Sequence, residues 1–187
     1  MPKQFKQFQN VRAVLDCTEI PVSQPKCLSC ALNVYSYYKK GFTCKYMIAV
    51  TPGGIIAFVS KGYGGKASDK KIFEDSGFVE KLEPFSDALM VDRGFLIDSI
   101  CEQHLVNVVR PPFKKQMKQF PKREALQTQS IASARVHVER AIQRIKVFKI
   151  LSTRVLWSMV PILDDIVMIT AGVTNLSAPI FAPDRFL

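Results

Sequence analysis

Acidic residues are scarce in this chain of 187 residues: 16 Asp and Glu stand against 26 Lys and Arg, and histidine occurs twice. The net charge at neutral pH is +10. Such an excess points to a polyanionic partner, nucleic acid first and an anionic membrane surface second. No clean apolar run of membrane-spanning length is present. The greasiest stretch, Val155 to Val173, is interrupted by Pro161, Asp164 and Asp165. It reads as too short and too charged at its middle to cross a bilayer. The N-terminus is polar and basic, so no secretory leader is expected. Internal repeats and low-complexity segments are missing too. Cysteines are odd in number and irregularly spaced: Cys17, Cys27, Cys30, Cys44 and Cys101. That excludes a disulfide scaffold and favours a reduced intracellular protein, in the nucleus or else the cytoplasm. Cys27 and Cys30 form a lone C-x-x-C. A zinc site would need two more ligands, and the histidines are only His104 and His137, so free thiols are expected.

What is present is ordinary globular composition, 48% apolar and 22% charged. It suffices to bury a core and excludes disorder and a collagen-like chain. The length favours one domain, with two small ones as the alternative. The positive charge is concentrated. Between Arg110 and Arg154 twelve Lys and Arg face two acids, Glu124 and Glu139, while the rest of the chain balances at fourteen against fourteen. A nucleic-acid surface is therefore expected to centre on the second half.

The apolar run from Val11 to Cys17 predicts a first strand. Residues 22–40 read as irregular. Cys44–Val50 and Ile55–Ser60 predict two strands joined by the turn Thr51-Pro52-Gly53-Gly54. Gly62-Tyr63-Gly64-Gly65 is a glycine-rich loop, and Ser68 is placed to cap a following helix. Ala88–Asp92 predicts a strand, 96–104 a helix and Leu105–Val109 another strand. A basic loop over 110–123 precedes a long helix over 124–150. Ile131, Ala134, Val138, Ile142, Ile145 and Phe148 recur there at threes and fours. A last helix is expected over about 158–176. The order implies an α/β domain, a mixed sheet covered by helices.

Two predicted strands end in an acid followed by a turn, at Asp16 and at Asp92. Strand ends are where α/β proteins commonly build sites. A third acid, Glu139, lies on the long helix with Arg135 and Lys146 within about 40° of it, beside the apolar stripe. Convergent carboxylates in a basic field suit divalent-metal chemistry at a phosphodiester, since Mg²⁺ and Mn²⁺ prefer carboxylate oxygens and the surrounding cations attract phosphate. Strand-end acids also cap turns or pair with arginine, and Glu139 with Arg135 is also a simple i, i+4 pair. The residues alone leave both readings open.

The same residues carry a resemblance. Leu15-Asp16-Cys17-Thr18-Glu19-Ile20, Ser60–Lys70 with its glycines and Asp69, Val91-Asp92-Arg93-Gly94-Phe95, and Ala134–Ile142 followed by Lys146 occur in the order of four blocks of PIF/Harbinger-type transposases. Together they span about residues 11–177. The chain resembles the DDE endonuclease domain of that family, of the Tnp4-like kind. The resemblance implies an RNase H-like fold and a triad of Asp16, Asp92 and Glu139 holding two divalent ions, Mg²⁺ or Mn²⁺. Asp69 also matches a family acid and is a fourth candidate metal ligand. It is the alternative to Asp92 as second carboxylate, or it caps its helix. Arg135 and Lys146 would orient Glu139 or hold DNA phosphate. Related bacterial transposases have a Tyr where this chain has Ala132.

The implied organisation is a tail over 1–10, the endonuclease domain over 11–177 and a tail over 178–187. Full-length relatives carry an N-terminal DNA-binding domain. A first strand near residue 11 leaves no room for one, so an isolated catalytic domain is expected, with targeting supplied by a separate protein or domain. The expected substrate is DNA, contacted by Lys114, Lys115, Lys118, Lys122, Arg123, Arg135, Arg140 and Lys146. No membrane partner is expected, and homo-oligomerisation stays open. A domesticated, non-catalytic binding module and an RNA-directed nuclease are the rival readings. Of the smaller features, Gly62–Gly65 lacks the G-K-[ST] of a phosphate loop and reads as a tight loop beside the site. Tyr35, Tyr37 and Tyr38 fit either a base-stacking patch or a half-buried segment. Trp157 is expected in the core.

Overall fold

The computed structural model describes residues 2–112 and 122–178. The fold is organised around β1 (Val11–Pro21), which is apolar on both faces as a central strand must be. Its neighbour β3 (Gly41–Val50) runs antiparallel to it, with Asp16 opposite Ile48 and Glu19 opposite Lys45. Three short strands pair antiparallel with β3: β2 (Tyr35–Ser36), β4 (Ile56–Val59) and β5 (Tyr63–Gly64). On the other side β6 (Ala88–Met90) is parallel to β1, and β7 (Asn107–Val109) is parallel to β6. The order β2-β3-β1-β6-β7, with β4 and β5 on β3, makes a mixed sheet flanked by helices. This is the α/β class expected and is compatible with an RNase H-like DDE fold.

Side chains alternate across each strand, so the sheet carries two cores. One face buries Val14, Ile20, Tyr46, Ile48 and Met90 against Ile131, Ala134, Val138 and Ile145 of α4 (Lys122–Lys146) and Leu163 and Val167 of α6 (Leu163–Leu176). The other buries Ala13, Leu15, Met47 and Leu89 with Ile72 and Phe73 of α2 (Asp69–Asp75) and Ile100 and Cys101 of α3 (Asp98–Gln103). Phe5, in a short 3-10 turn ahead of β1, is fully buried and meets the His137 ring edge-on at 4.9 Å. Burial, with a smaller push from Arg140, lowers the His137 pKa to about 4.

Local signals placed several elements well. The Ser68 hydroxyl accepts the Lys71 N–H at 3.2 Å and starts α2. The β3–β4 hairpin turns through Gly54 at φ 88°. Elsewhere the sequence reading needs correction. Residues 22–40, expected irregular, hold α1 (Leu28–Val34) and β2. Helix α1 buries only Ala31 and Val34, too little for an apolar stripe to declare it. The long helix ends at Lys146, and Phe148 opens a separate turn, α5 (Lys149–Ser152). The stretch expected to be too short for a bilayer is helical from Trp157 to Leu176, 3-10 and then α, 20 residues in all. By length and composition alone it would reach across a membrane. Its polar residues tie it to the sheet. Asp164 accepts from the Tyr46 hydroxyl at 2.8 Å and the Gly62 N–H at 3.1 Å, and the Asn175 amide pairs both ways with the Ile56 backbone. Trp157 is half-buried against this core, and the five cysteines are free thiols.

Candidate active site

The register between β1 and β6 brings the two strand-end acids together. Val14 pairs with Met90 in parallel, so two residues further on lie Asp16 in β1 and Asp92 just past the end of β6. Neighbouring strands are about 4.8 Å apart. The even spacing keeps both acids on the face of Val14 and Met90, the face covered by α4. Each carboxylate is held by its own turn. The Cys17 N–H donates to Asp16 at 2.8 Å, and the Arg93 N–H donates to Asp92 at 2.7 Å.

The third acid comes from α4. Ile131, Ala134, Val138, Ala141 and Ile145 bury the helix on the sheet, which leaves Arg135 and Glu139 along the rim of that stripe. The Arg135 guanidinium bonds Asp92 at 3.0 Å and reaches Glu139 at 3.8 Å. Arg135 is largely buried, whereas Asp92 and Glu139 are each about half exposed. Burial is the main influence on Asp16 and pushes its carboxyl up to about 6. The Cys17 N–H and Arg135 oppose this, while Asp69 and Asp92 add repulsion.

Asp69 occupies different surroundings. Cys17 and Glu19 point to the face opposite Asp16, and Lys45 stands across from Glu19 on β3. Lys45 bonds Asp69 at 3.3 Å and the Ala67 carbonyl at 3.0 Å, and lies 3.8 Å from Glu19. Thr43 donates to Glu19 at 2.7 Å. The Cys17 thiol hydrogen-bonds Asp69, and burial followed by the Asp69 charge drives its pKa far up. Asp69 acts on Asp16 more strongly than Asp92 does, yet its own cation is Lys45. The sequence reading missed Lys45 and Glu19. The available signal was one lysine inside the apolar run Cys44–Val50.

The expected DNA-binding cations fall into three groups. Lys114, Lys115 and Lys118 lie outside the described residues, as do the side chains of Lys122 and Arg123, which begin α4. Arg140 is half-buried on α4. Arg135 and Lys146 turn toward the sheet: the Lys146 ammonium donates to the Glu19 carbonyl at 3.1 Å. Burial, then the Lys39 charge, lowers the Lys146 pKa, against Glu19 and Asp16.

Three carboxylates, one of them desolvated, are the hard oxygen donors that Mg²⁺ and Mn²⁺ take. The donor set fits such ions. The spacing is wider: among the described residues no three His, Cys, Asp or Glu are grouped closely enough to hold a metal. Arg135 bridges Asp92 and Glu139, its single charge shared between them.

Comparison with curated proteins and with solved structures finds no match. A family model, described as DDE superfamily endonuclease, matches residues 15–175. The match takes in both strand-end acids, the α2 block and all of α4. The chain thus belongs to the DDE superfamily endonucleases, a transposase-related nuclease family.

Proposed function

We propose that this domain cuts DNA phosphodiester bonds with Asp16, Asp92 and Glu139 as its carboxylate triad. The observation that carries the reading is Arg135. Its guanidinium touches Asp92 and Glu139 while its charge acts on Asp16, so β1, the end of β6 and α4 meet at one cation. The triad would hold two divalent ions, Mg²⁺ or Mn²⁺, which supply positive charge to the attacking and leaving oxygens of an in-line displacement at phosphorus. Asp16, fixed by the Cys17 N–H and half-buried, is the anchoring ligand. Its raised pKa marks a carboxylate that gains from a cation. Arg135 holds Asp92 and Glu139 in place and keeps their mutual repulsion in check. Asp69, paired with Lys45, supports the start of α2 and shapes the field at Asp16 from the other face.

The DNA backbone is drawn to the basic segment 110–154, which includes Arg140. Phosphate contacts carry little sequence information, so targeting falls to a separate DNA-binding domain or protein, and the nucleus is the place of action. A second reading is favoured by the arginine itself. If Arg135 permanently satisfies Asp92 and Glu139, the domain is a non-catalytic DNA- or protein-binding module.

Strand cleavage decides between them. The chain is fused to a DNA-binding domain of known site and incubated with the cognate duplex and Mn²⁺. Cleavage near the site is expected, and its loss in Asp16→Ala and Glu139→Ala. Equal cleavage by the variants would remove the triad assignment, and no cleavage by any protein favours the binding module.

A further inference from the structure

The turn between β2 and β3 is built from residues that turns seldom use. Four residues, Tyr37-Tyr38-Lys39-Lys40, connect the pairs Ser36–Gly41 and Tyr35–Phe42. Turns favour Gly, Asn, Asp, Pro and Ser, which reach the required angles cheaply. Here Lys40 adopts a left-handed φ of 51° without being glycine. Tyr37 and Tyr38 are 76% and 83% exposed, whereas Tyr46 on the same hairpin's long strand is 1% exposed. Two aromatic rings are thus displayed in water on a strained turn.

Local contacts brace the display. The Lys39 N–H donates to the Ser36 hydroxyl at 3.1 Å, and Ser36 is buried. Tyr35 meets Tyr37 edge-on at 5.4 Å and Phe42 at 5.6 Å, bracing the base of the turn. The Lys39 ammonium lies over the Tyr38 ring at 4.7 Å. No acid occurs between Val34 and Thr43.

The turn also lies toward the candidate site. Strand β3 carries it past the end of β1, where Pro21 pairs with Thr43. Its Lys39 acts electrostatically on Lys146, which is bonded to the Glu19 carbonyl and lies in the field of Asp16. Asp16 pairs with Ile48, so the tip at Lys40 lies eight residues further along β3, about 26 Å away, with Lys146 between them.

We propose that this turn is a binding site for unpaired bases of the DNA substrate, with Tyr37 and Tyr38 as stacking platforms and Lys39 and Lys40 as phosphate contacts. The inference rests on the reading that the domain acts on DNA. Charge selects the occupant, since a cationic tip without acids matches a polyanion. The rings select unpaired bases, because a duplex keeps its π-faces stacked while a single strand or frayed end presents them. The site would hold the strand at a distance from the bond being cut and favour ends or distorted sequences over intact duplex.

Fluorescence anisotropy with the full chain tests this, using a labelled single-stranded DNA 20-mer, its blunt duplex and the matching RNA strand. Tyr37→Ala/Tyr38→Ala is expected to weaken single-strand binding about tenfold or more and to change duplex binding less than about twofold. Tyr37→Phe/Tyr38→Phe keeps the rings and is expected to bind as the unaltered chain does. Lys39→Gln/Lys40→Gln is expected to lower the salt dependence on both DNA forms. Unchanged single-strand affinity in the alanine variant, or equal loss in the phenylalanine variant, overturns the stacking site while leaving the DNA reading intact. If the unaltered chain binds neither duplex nor single strand at all, the DNA reading falls and takes this one with it. Markedly tighter binding to the RNA strand overturns the assignment to DNA.

Discussion

Asp16 is a carboxylate in a place that disfavours its charge. Burial raises its pKa from 3.8 to about 6, so the folded chain holds a proton there that the unfolded chain releases between those values. Stability from this residue is therefore greatest at low pH and declines as pH rises through that window. The expected size is about 1–2 kcal/mol, allowing for partial exposure. Asp16→Asn, isosteric and neutral, should raise the melting temperature of the metal-free domain at pH 8 and flatten its dependence across the window between 3.8 and about 6. A thermal melt series in chelator checks this. An Asn variant less stable than the original at pH 8 would mean that Arg135 and the Cys17 N–H already compensate the ionised carboxylate.

At the scale of elements, α1 and the glycine loop are fitted to each other. A Cβ on Gly64 would collide with the Asn33 carbonyl oxygen at the end of α1, a backbone atom with no room to yield. Gly94, beside Asp92, would meet nothing within 4 Å. Gly64→Ala is expected to cost about 1–3 kcal/mol, and Gly94→Ala to be close to neutral, as chemical denaturation would show. The contrast also explains what could be read from the sequence. Ser68, the Thr51–Gly54 turn and the α4 stripe are local signals, and each defined its element. Helix α1 was missed because Leu28 and Leu32 face solvent, which leaves no apolar stripe. The Val14–Met90 register, which sets Asp16 beside Asp92, joins residues 76 positions apart, so composition and periodicity do not encode it. The four family blocks supplied that pairing. Lys45 escaped notice because its partners Glu19 and Asp69 arrive from two other elements.

For the whole molecule, the net charge of +10 is a statement about affinity, divided between two uses. Arg135 and Lys146 are spent on the site's own architecture, one on Asp92 and Glu139 and the other on the Glu19 carbonyl. Arg110 and Arg144 are engaged too, with Asp98 and the Ala178 carbonyl, so phosphate contacts are expected mainly from the segment's lysines. Binding of the chain alone to duplex should accordingly be weak, unspecific and sensitive to salt. With about four phosphate contacts, raising salt from about 50 to about 200 mM weakens it about a hundredfold. Anisotropy titrations on two unrelated duplexes measure both properties; a tight, salt-insensitive, sequence-dependent complex would contradict the account.

The central claim is that Asp16, Asp92 and Glu139 together bind metal, with Asp69 outside the set. Calorimetry with Mn²⁺ tests it most directly, on the unaltered chain and on Asp16→Ala, Asp92→Ala, Glu139→Ala and Asp69→Ala. Binding is expected in the unaltered chain, weakened about tenfold or more in the first three variants and retained in Asp69→Ala. Loss in Asp69→Ala with retention in Asp92→Ala, or no carboxylate-dependent binding at all, would contradict it.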